Sequence, residues 1–211
     1  PYERATIWEH ADTLDLASRL GSPIFLWECM ALRPDYVEQL QLWWTRDDLS
    51  TITNTYPDHE DVQGPTGRHV AETIASFVPS KSLLISTEQQ MLPVLRDRCA
   101  QRDTHLVALT EEHVSSLPSD LLSRIPYQEH PANVALVASM AEVLGIPPEE
   151  AIVMMADHVV PDLGALASYG PMRHLGRVVE LVNGMSANER TGFLNNWQRA
   201  GFSSWNPRTQ S

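Results

Sequence analysis

The sequence predicts an α/β fold, a mostly parallel sheet flanked by helices, and three observations predict it. Short apolar runs alternate with segments of helical periodicity in a βαβα order, which favours parallel strands. The first run, Ile24 to Trp27, is apolar throughout, as expected of a strand buried on both faces. Finally, 211 residues with 43% hydrophobic and 20% charged side chains suffice for a real core.

Taken in order, Trp8, Ala11, Leu14, Ala17 and Leu20 recur at helical spacing, and Gly21 with Pro23 stops that helix. A strand is expected at Ile24 to Trp27, although so short a run also suits a piece of buried helix. Next come a helix over Pro34 to Leu42, a strand over Leu49 to Thr53, a helix over Thr66 to Phe77 and a strand over Ser82 to Ser86. A helix from near Glu88 to Arg102 and a strand over His105 to Leu109 continue the alternation. After Glu111 the texture changes. Helices over Ala132 to Leu144 and Pro148 to Ala156 are separated by the Gly145-Ile-Pro-Pro turn. A Pro/Gly-bearing stretch from Val160 to Pro171 leads to a strand over Arg177 to Val182, which Asn183-Gly184 breaks before a helix around Glu189 to Arg199. The division expected is residues 1–175 as one domain, with 176–211 as a hinge and the start of another. No repeat or low-complexity tract interrupts this order.

A net charge of -12 argues against a nucleic-acid partner, because such binding rests on clustered cations neutralising phosphates. Lys81 is the single lysine, so a mechanism needing that side chain has one candidate. The two cysteines, Cys29 and Cys99, form neither a metal spacing nor a disulfide framework, and a reducing, cytoplasmic setting fits them. No apolar run reaches the roughly 18–20 residues that span a bilayer, and the N-terminus has none of a signal peptide's regions. The first residue, Pro1, and the polar end WNPRTQS are those expected of a piece of a longer chain.

Three polar clusters lie where a predicted strand or loop ends, and ligands of open α/β sheets bind at the carboxyl ends of strands. In Trp27-Glu28-Cys29-Met30, Glu28 directly follows the apolar run; it is a ligand for a cation such as Mg²⁺, a surface glutamate at a strand end, or a member of an ion pair with Arg33. The loop Thr53-Asn54-Thr55-Tyr56-Pro57-Asp58-His59-Glu60-Asp61 puts Asn54, Asp58 and His59 together. His59 is either a metal ligand whose tautomer Asp58 or Asp61 fixes, or a solvated histidine on an acidic loop. Tyr127-Gln128-Glu129-His130-Pro131-Ala132-Asn133 opens a helix, and Asn133 serves either as a cap or as a donor-acceptor pair for a purine edge. A metal-dependent hydrolase on Asp58 to Asp61 lacks enough converging ligands for two metals.

Taken jointly, WECMALRPDY, TITNTYPDHEDVQGPT, EHPANVALVASMAEVLGI, PDLGAL and VNGMSANE resemble, in order, the central domain of the Mur ligase superfamily. The likeness is greatest to its poly-γ-glutamate synthase branch. The resemblance implies an ATP-dependent γ-glutamyl ligase that forms an acyl phosphate and then an amide, with glutamate or polyglutamate as substrate. It implies that Glu28 and His59 contact Mg²⁺ shared with the ATP γ-phosphate, with Asn54 on the cofactor side and Asn133 near the adenine. His130 stands where related ligases often carry another asparagine. It also implies a parent that associates with membrane subunits and a sheet edge open to pairing with a second copy.

The sequence departs from the family in several places. No G-x-x-G-K-[ST] loop occurs, and Lys81 has no glycines before it; the chain is expected to start after that loop and to be inactive alone. The helix Thr66 to Phe77 has no lysine for carbamylation, and Glu72 is the nearest substitute carboxylate. Asn183 stands where related ligases carry aspartate. The alternative to a ligase piece is a scaffold or oligomerisation module that keeps the fold.

Overall fold

The computed structural model describes residues 7–187 and 189–204. The expectations placed on Pro1–Thr6, on Asn188 within VNGMSANE and on the closing WNPRTQS lie outside the described residues. The chain divides into two compact units, Pro1–Thr110 and Glu111–Ser211.

In the first unit, α1 (Ile7–Arg19) carries the predicted periodicity and ends before Gly21, whose φ is 66°. The helix expected at Pro34 to Leu42 is one α-helical turn, α2 (Pro34–Glu38), running into a π-helical segment over Gln39–Thr45. Three strands follow: β1 (Leu49–Ile52), β2 (Leu83–Ser86) and β3 (His105–Ala108). They form a parallel sheet in the order β1-β2-β3, with Leu49 opposite Leu83 and Leu83 opposite His105. Crossovers run through α3 (Glu60–Gln63) and α4 (Gly67–Ile74) between the first two strands and through α5 (Leu92–Gln101) between the last two. A parallel pair requires such connections, and they account for the α/β alternation legible in the sequence.

The core packs Ile52, Leu84 and Leu95 with Ala75, Val78 and Cys99. Leu84 and Ile85 are both fully buried, so the central strand is covered on each face, as a parallel sheet demands. Gly64 enters α4 with φ of 118°, and a Cβ there would lie 2.6 Å from the Cβ of His69, so no other residue fits this turn unchanged.

One expected strand is absent. Residues 24–27 are irregular, with Ile24 and Leu26 exposed, and among the described residues no backbone hydrogen bond joins 23–32 to the sheet. The indole of Trp27 instead donates to Asp47 Oδ1 at 2.8 Å and packs 5.5 Å from Phe77. Asp47 is held in turn by Gln41 Nε2 at 2.9 Å and Ser50 Oγ at 2.8 Å. Phe25 and Trp27 are half-buried between exposed neighbours, so the apolar run covers the surface of the unit without joining a ladder.

In the second unit, α6 (Glu111–Ser115) and α7 (Ser119–Leu122) precede α8 (Pro131–Val143) and α9 (Pro148–His158). Val134 and Ala138 of α8 meet Ile152 and Ala156 of α9, each pair four residues apart on one helix face. The stretch after Val160 contains a strand that periodicity did not reveal, β4 (Ala167–His174), paired antiparallel with β5 (Arg177–Asn183). Asn183-Gly184 ends β5, and α10 (Arg190–Arg199) follows, capped by the Glu189 carboxylate on the N–H groups of Thr191 and Gly192.

Candidate functional site

At the carboxyl ends of β1, β2 and β3, side chains tie the strand ends together. Ser86 Oγ donates to Ile52 O at 2.6 Å, Thr87 Oγ1 to Thr53 O at 2.6 Å and Gln89 Nε2 to Leu109 O at 2.7 Å. Glu88 is 3% exposed, and its carboxylate accepts from Thr55 N at 2.6 Å, Thr55 Oγ1 at 3.0 Å and Met91 N at 2.8 Å. Sequence reasoning passed over this residue as the start of a helix, which in fact begins at Leu92. The signal was available: Glu88 follows the apolar run LLIS at its polar end, as Glu28 follows IFLW.

The loop after β1 carries Asn54 and His59 in exposed positions and Asp58 half-buried between them. Asn54 Oδ1 accepts from Tyr56 N at 3.1 Å, a turn that asparagine side chains commonly make. Asp58 Oδ1 accepts from His59 N at 2.8 Å, and Asp58 Oδ2 lies 3.5 Å from His59 Nε2, so Asp58 rather than Asp61 is the neighbour of the imidazole. His59 itself adopts a left-handed backbone, φ 51° and ψ 38°, ahead of α3. Non-glycine residues hold that conformation at a cost, and such positions concentrate at functional sites. Pro57 sits against α4, where a Cβ on Gly67 would lie 3.2 Å from its Cγ.

Glu28 is exposed on the irregular segment after Trp27. Its proposed partner Arg33 is engaged elsewhere, donating from Nη2 to Asp35 Oδ2 at 2.8 Å and lying 4.8 Å from the centre of the Tyr36 ring. Glu72 pairs with Arg68 at 2.8 Å on the exposed face of α4. Among the described residues no three His, Cys, Asp or Glu side chains gather as a metal-ion site.

In the second unit, Glu129 organises the segment before α8. Its carboxylate accepts from Tyr127 OH at 2.7 Å, His130 N at 2.7 Å and Asn133 Nδ2 at 2.9 Å. Burial and the neighbouring Glu129 push the Tyr127 hydroxyl up to about 12. Arg199 closes the segment by donating to the carbonyls of Gln128 and Glu129. A cleft of about 610 Å³ lies here, lined by Tyr127, Glu129, Pro131, Ser168 and Arg199 among others.

The cap of α8 is His130, whose Nδ1 accepts from Ala132 N at 3.2 Å, and not Asn133, whose amide nitrogen is committed to Glu129. Burial, reinforced by the Arg199 charge, pushes His130 below its ordinary value of 6.5. A depressed pKa adds stability that is present above 6.5 and lost as pH falls through the folded value, because protonated Nδ1 can no longer accept. The expected result is a His130 ring that titrates below 6.5 by NMR, with weakening protection of the Ala132 amide over the same range. A ring titrating above 6.5 would contradict the assigned cap.

The chain is 29% identical over 197 residues to the capsule biosynthesis protein CapB of Bacillus anthracis, covering 93% of this chain and 41% of that protein. It is 28% identical over 193 residues to the PGA synthase CapB of Bacillus subtilis (strain 168), covering 92% and 48%. Both relatives are CapB proteins, and the likeness runs along more than nine-tenths of this chain. No family model matches it. No solved structure matches it significantly. The chain spans less than half the length of the curated relatives it matches. Its parallel sheet and flanking helices are consistent with a Mur-ligase-like domain. No described helix is long and apolar enough to cross a membrane.

Proposed function

We propose that this chain is part of an ATP-dependent γ-glutamyl ligase that phosphorylates a carboxylate and lets an amine displace phosphate from the acyl phosphate. The observation that carries the reading is the similarity to two CapB proteins along more than nine-tenths of the chain. The sheet supports it, because its strand-end loop presents Asn54, Asp58 and His59 at the edge where α/β folds bind ligands.

A hydrated Mg²⁺ asks for only one or two protein ligands and keeps waters and phosphate oxygens, a demand that one carboxylate and one imidazole would meet. When bound, the ion supplies charge neutralisation for the phosphates. Glu28 and His59 would hold it, with Asp58, whose Oδ2 lies 3.5 Å from His59 Nε2, orienting the imidazole and Asn54 on the cofactor side. Asn133, whose Nδ2 is engaged by Glu129, would offer its amide oxygen to an adenine, and His130 caps the start of α8. Activation of glutamate or polyglutamate then rests on positioning more than on covalent chemistry by the protein.

The test is phosphate release from ATP, Mg²⁺ and oligoglutamate by this chain and by a version extended at both ends to the relatives' length. Turnover is expected from the extended version alone, because the 211 residues contain no glycine-lysine phosphate loop to hold the β- and γ-oxygens. Silence from both would overturn the ligase reading in favour of a scaffold. Turnover by the short chain would show that phosphate is held by other groups.

A further inference from the structure

Glu88 is a buried carboxylate just beyond the end of β2 that the ligase reading does not use. It is 3% exposed, and among the described residues no cation pairs with it. An ionised carboxylate so placed is costly unless several donors satisfy it. The donors come from two places: Thr55 contributes its N–H and hydroxyl from the loop after β1, and Met91 contributes its N–H just ahead of α5. Ser86 Oγ accepts from the N–H of Glu88 at 3.1 Å while donating to Ile52 O, so the backbone of Glu88 is tied to the end of β1 as well.

We infer that Glu88 is the positioning residue of the strand-end site, a buried anchor that fixes Thr55 and thereby presents Asn54, Asp58 and His59. Thr55 is 3% exposed, whereas Asn54 and His59 on either side are exposed, so the loop has one inward-facing residue between the outward-facing polar ones. Both of its hydrogen bonds go to the same carboxylate oxygen, Glu88 Oε2, at 2.6 and 3.0 Å. Pro57 limits the turn beyond Thr55, which carries the fixed geometry on towards the Asp58–His59 pair. The anchor stands on the hydrogen bonds alone. That the loop it holds is the reacting one rests on the ligase reading.

Glu88→Gln keeps the shape but offers one acceptor oxygen and an NH₂ that must face N–H or O–H donors. Thr55→Val keeps the N–H bond and removes only the hydroxyl, so it leaves the fold intact if the larger change does not. The measurement is amide hydrogen exchange by NMR on this chain. Expected for Glu88→Gln is a rise on the order of 10- to 100-fold in exchange at Thr55, with faster exchange through His59, while Leu84, Ile85 and Leu106 keep their protection. Thr55→Val should give a smaller rise confined to the same loop. A uniform rise over the whole unit, or no change at Thr55 in either variant, would overturn the inference.

A second readout separates this inference from the ligase reading. Mn²⁺, added as a paramagnetic probe, should broaden His59 in the unaltered chain and do so less in Glu88→Gln. Loop-confined exchange without any Mn²⁺ broadening would sustain the anchor and count against the metal assignment.

Discussion

Arg102→Ala is expected to lower the unfolding free energy of the first unit by about 3 kcal/mol, an effect at the upper end for a single substitution. The Arg102 side chain is 8% exposed although it carries a full charge. It donates to Ser76 O at 2.8 Å, to Val78 O, and to Glu38 Oε1 at 2.9 Å. Burial lowers its pKa, and the nearby Arg98 adds to that shift while Glu38 opposes it. The guanidinium therefore closes the chain between α4 and β2 onto the end of α5, where a planar fork serves several acceptors at once. Alanine leaves two backbone carbonyls short of a donor and removes the packed stem. Lysine, a point charge without the fork, should recover only part of the loss. By contrast, truncating Arg19 or Arg68, whose ion pairs lie on exposed helix faces, should change stability by less than about 0.5 kcal/mol. Urea melts of the four variants check this ordering. Equal losses at Arg68 and Arg102 would refute the role given to burial.

In the extended enzyme, His59→Asn is expected to reduce ATP-dependent phosphate release by about two to three orders of magnitude, and Glu28→Gln by a similar factor. Both follow from the ligase reading, in which these side chains fix the cation that neutralises the transferring phosphate. Asparagine is the informative replacement at residue 59. His59 has a left-handed backbone, which asparagine tolerates well, so the exchange removes the imidazole with little added strain. Stability should be unchanged or slightly raised, which separates loss of chemistry from loss of fold. Glu28 is exposed, and its amide should be neutral for folding. The assay is phosphate release with varied Mg²⁺, read beside a thermal melt. Retention of more than one-tenth of the activity in both variants would remove Glu28 and His59 from the reacting site.

Much of the first unit was legible because its signals are local. The runs LSTI, LLIS and HLVA are short, apolar and separated by helical-period segments, and each became a strand of one parallel sheet. IFLW is more apolar than any of them and did not. Its placement depends on the Trp27 indole reaching Asp47, 20 residues away, and no periodicity encodes that contact. β4 was hidden for a related reason: Tyr169-Gly-Pro-Met carries breakers, and only pairing with β5 across a register shift identifies it as a strand.

By itself the sequence determined the α/β order, the parallel strands, the strand-end loop bearing Asn54, Asp58 and His59, and the likeness to poly-γ-glutamate synthases. These depend on spacing, turn chemistry and residue type, all readable within a window of a few residues. Tertiary structure alone decided that Glu88 is the buried member of the strand-end site, that His130 rather than Asn133 caps α8, and that Arg33 turns to Asp35 instead of Glu28. Each of these is a competition among several chemically suitable partners. Which partner wins depends on desolvation and distance in the folded chain, and for Glu88 the deciding donor, Thr55, lies 33 residues away across a parallel crossover.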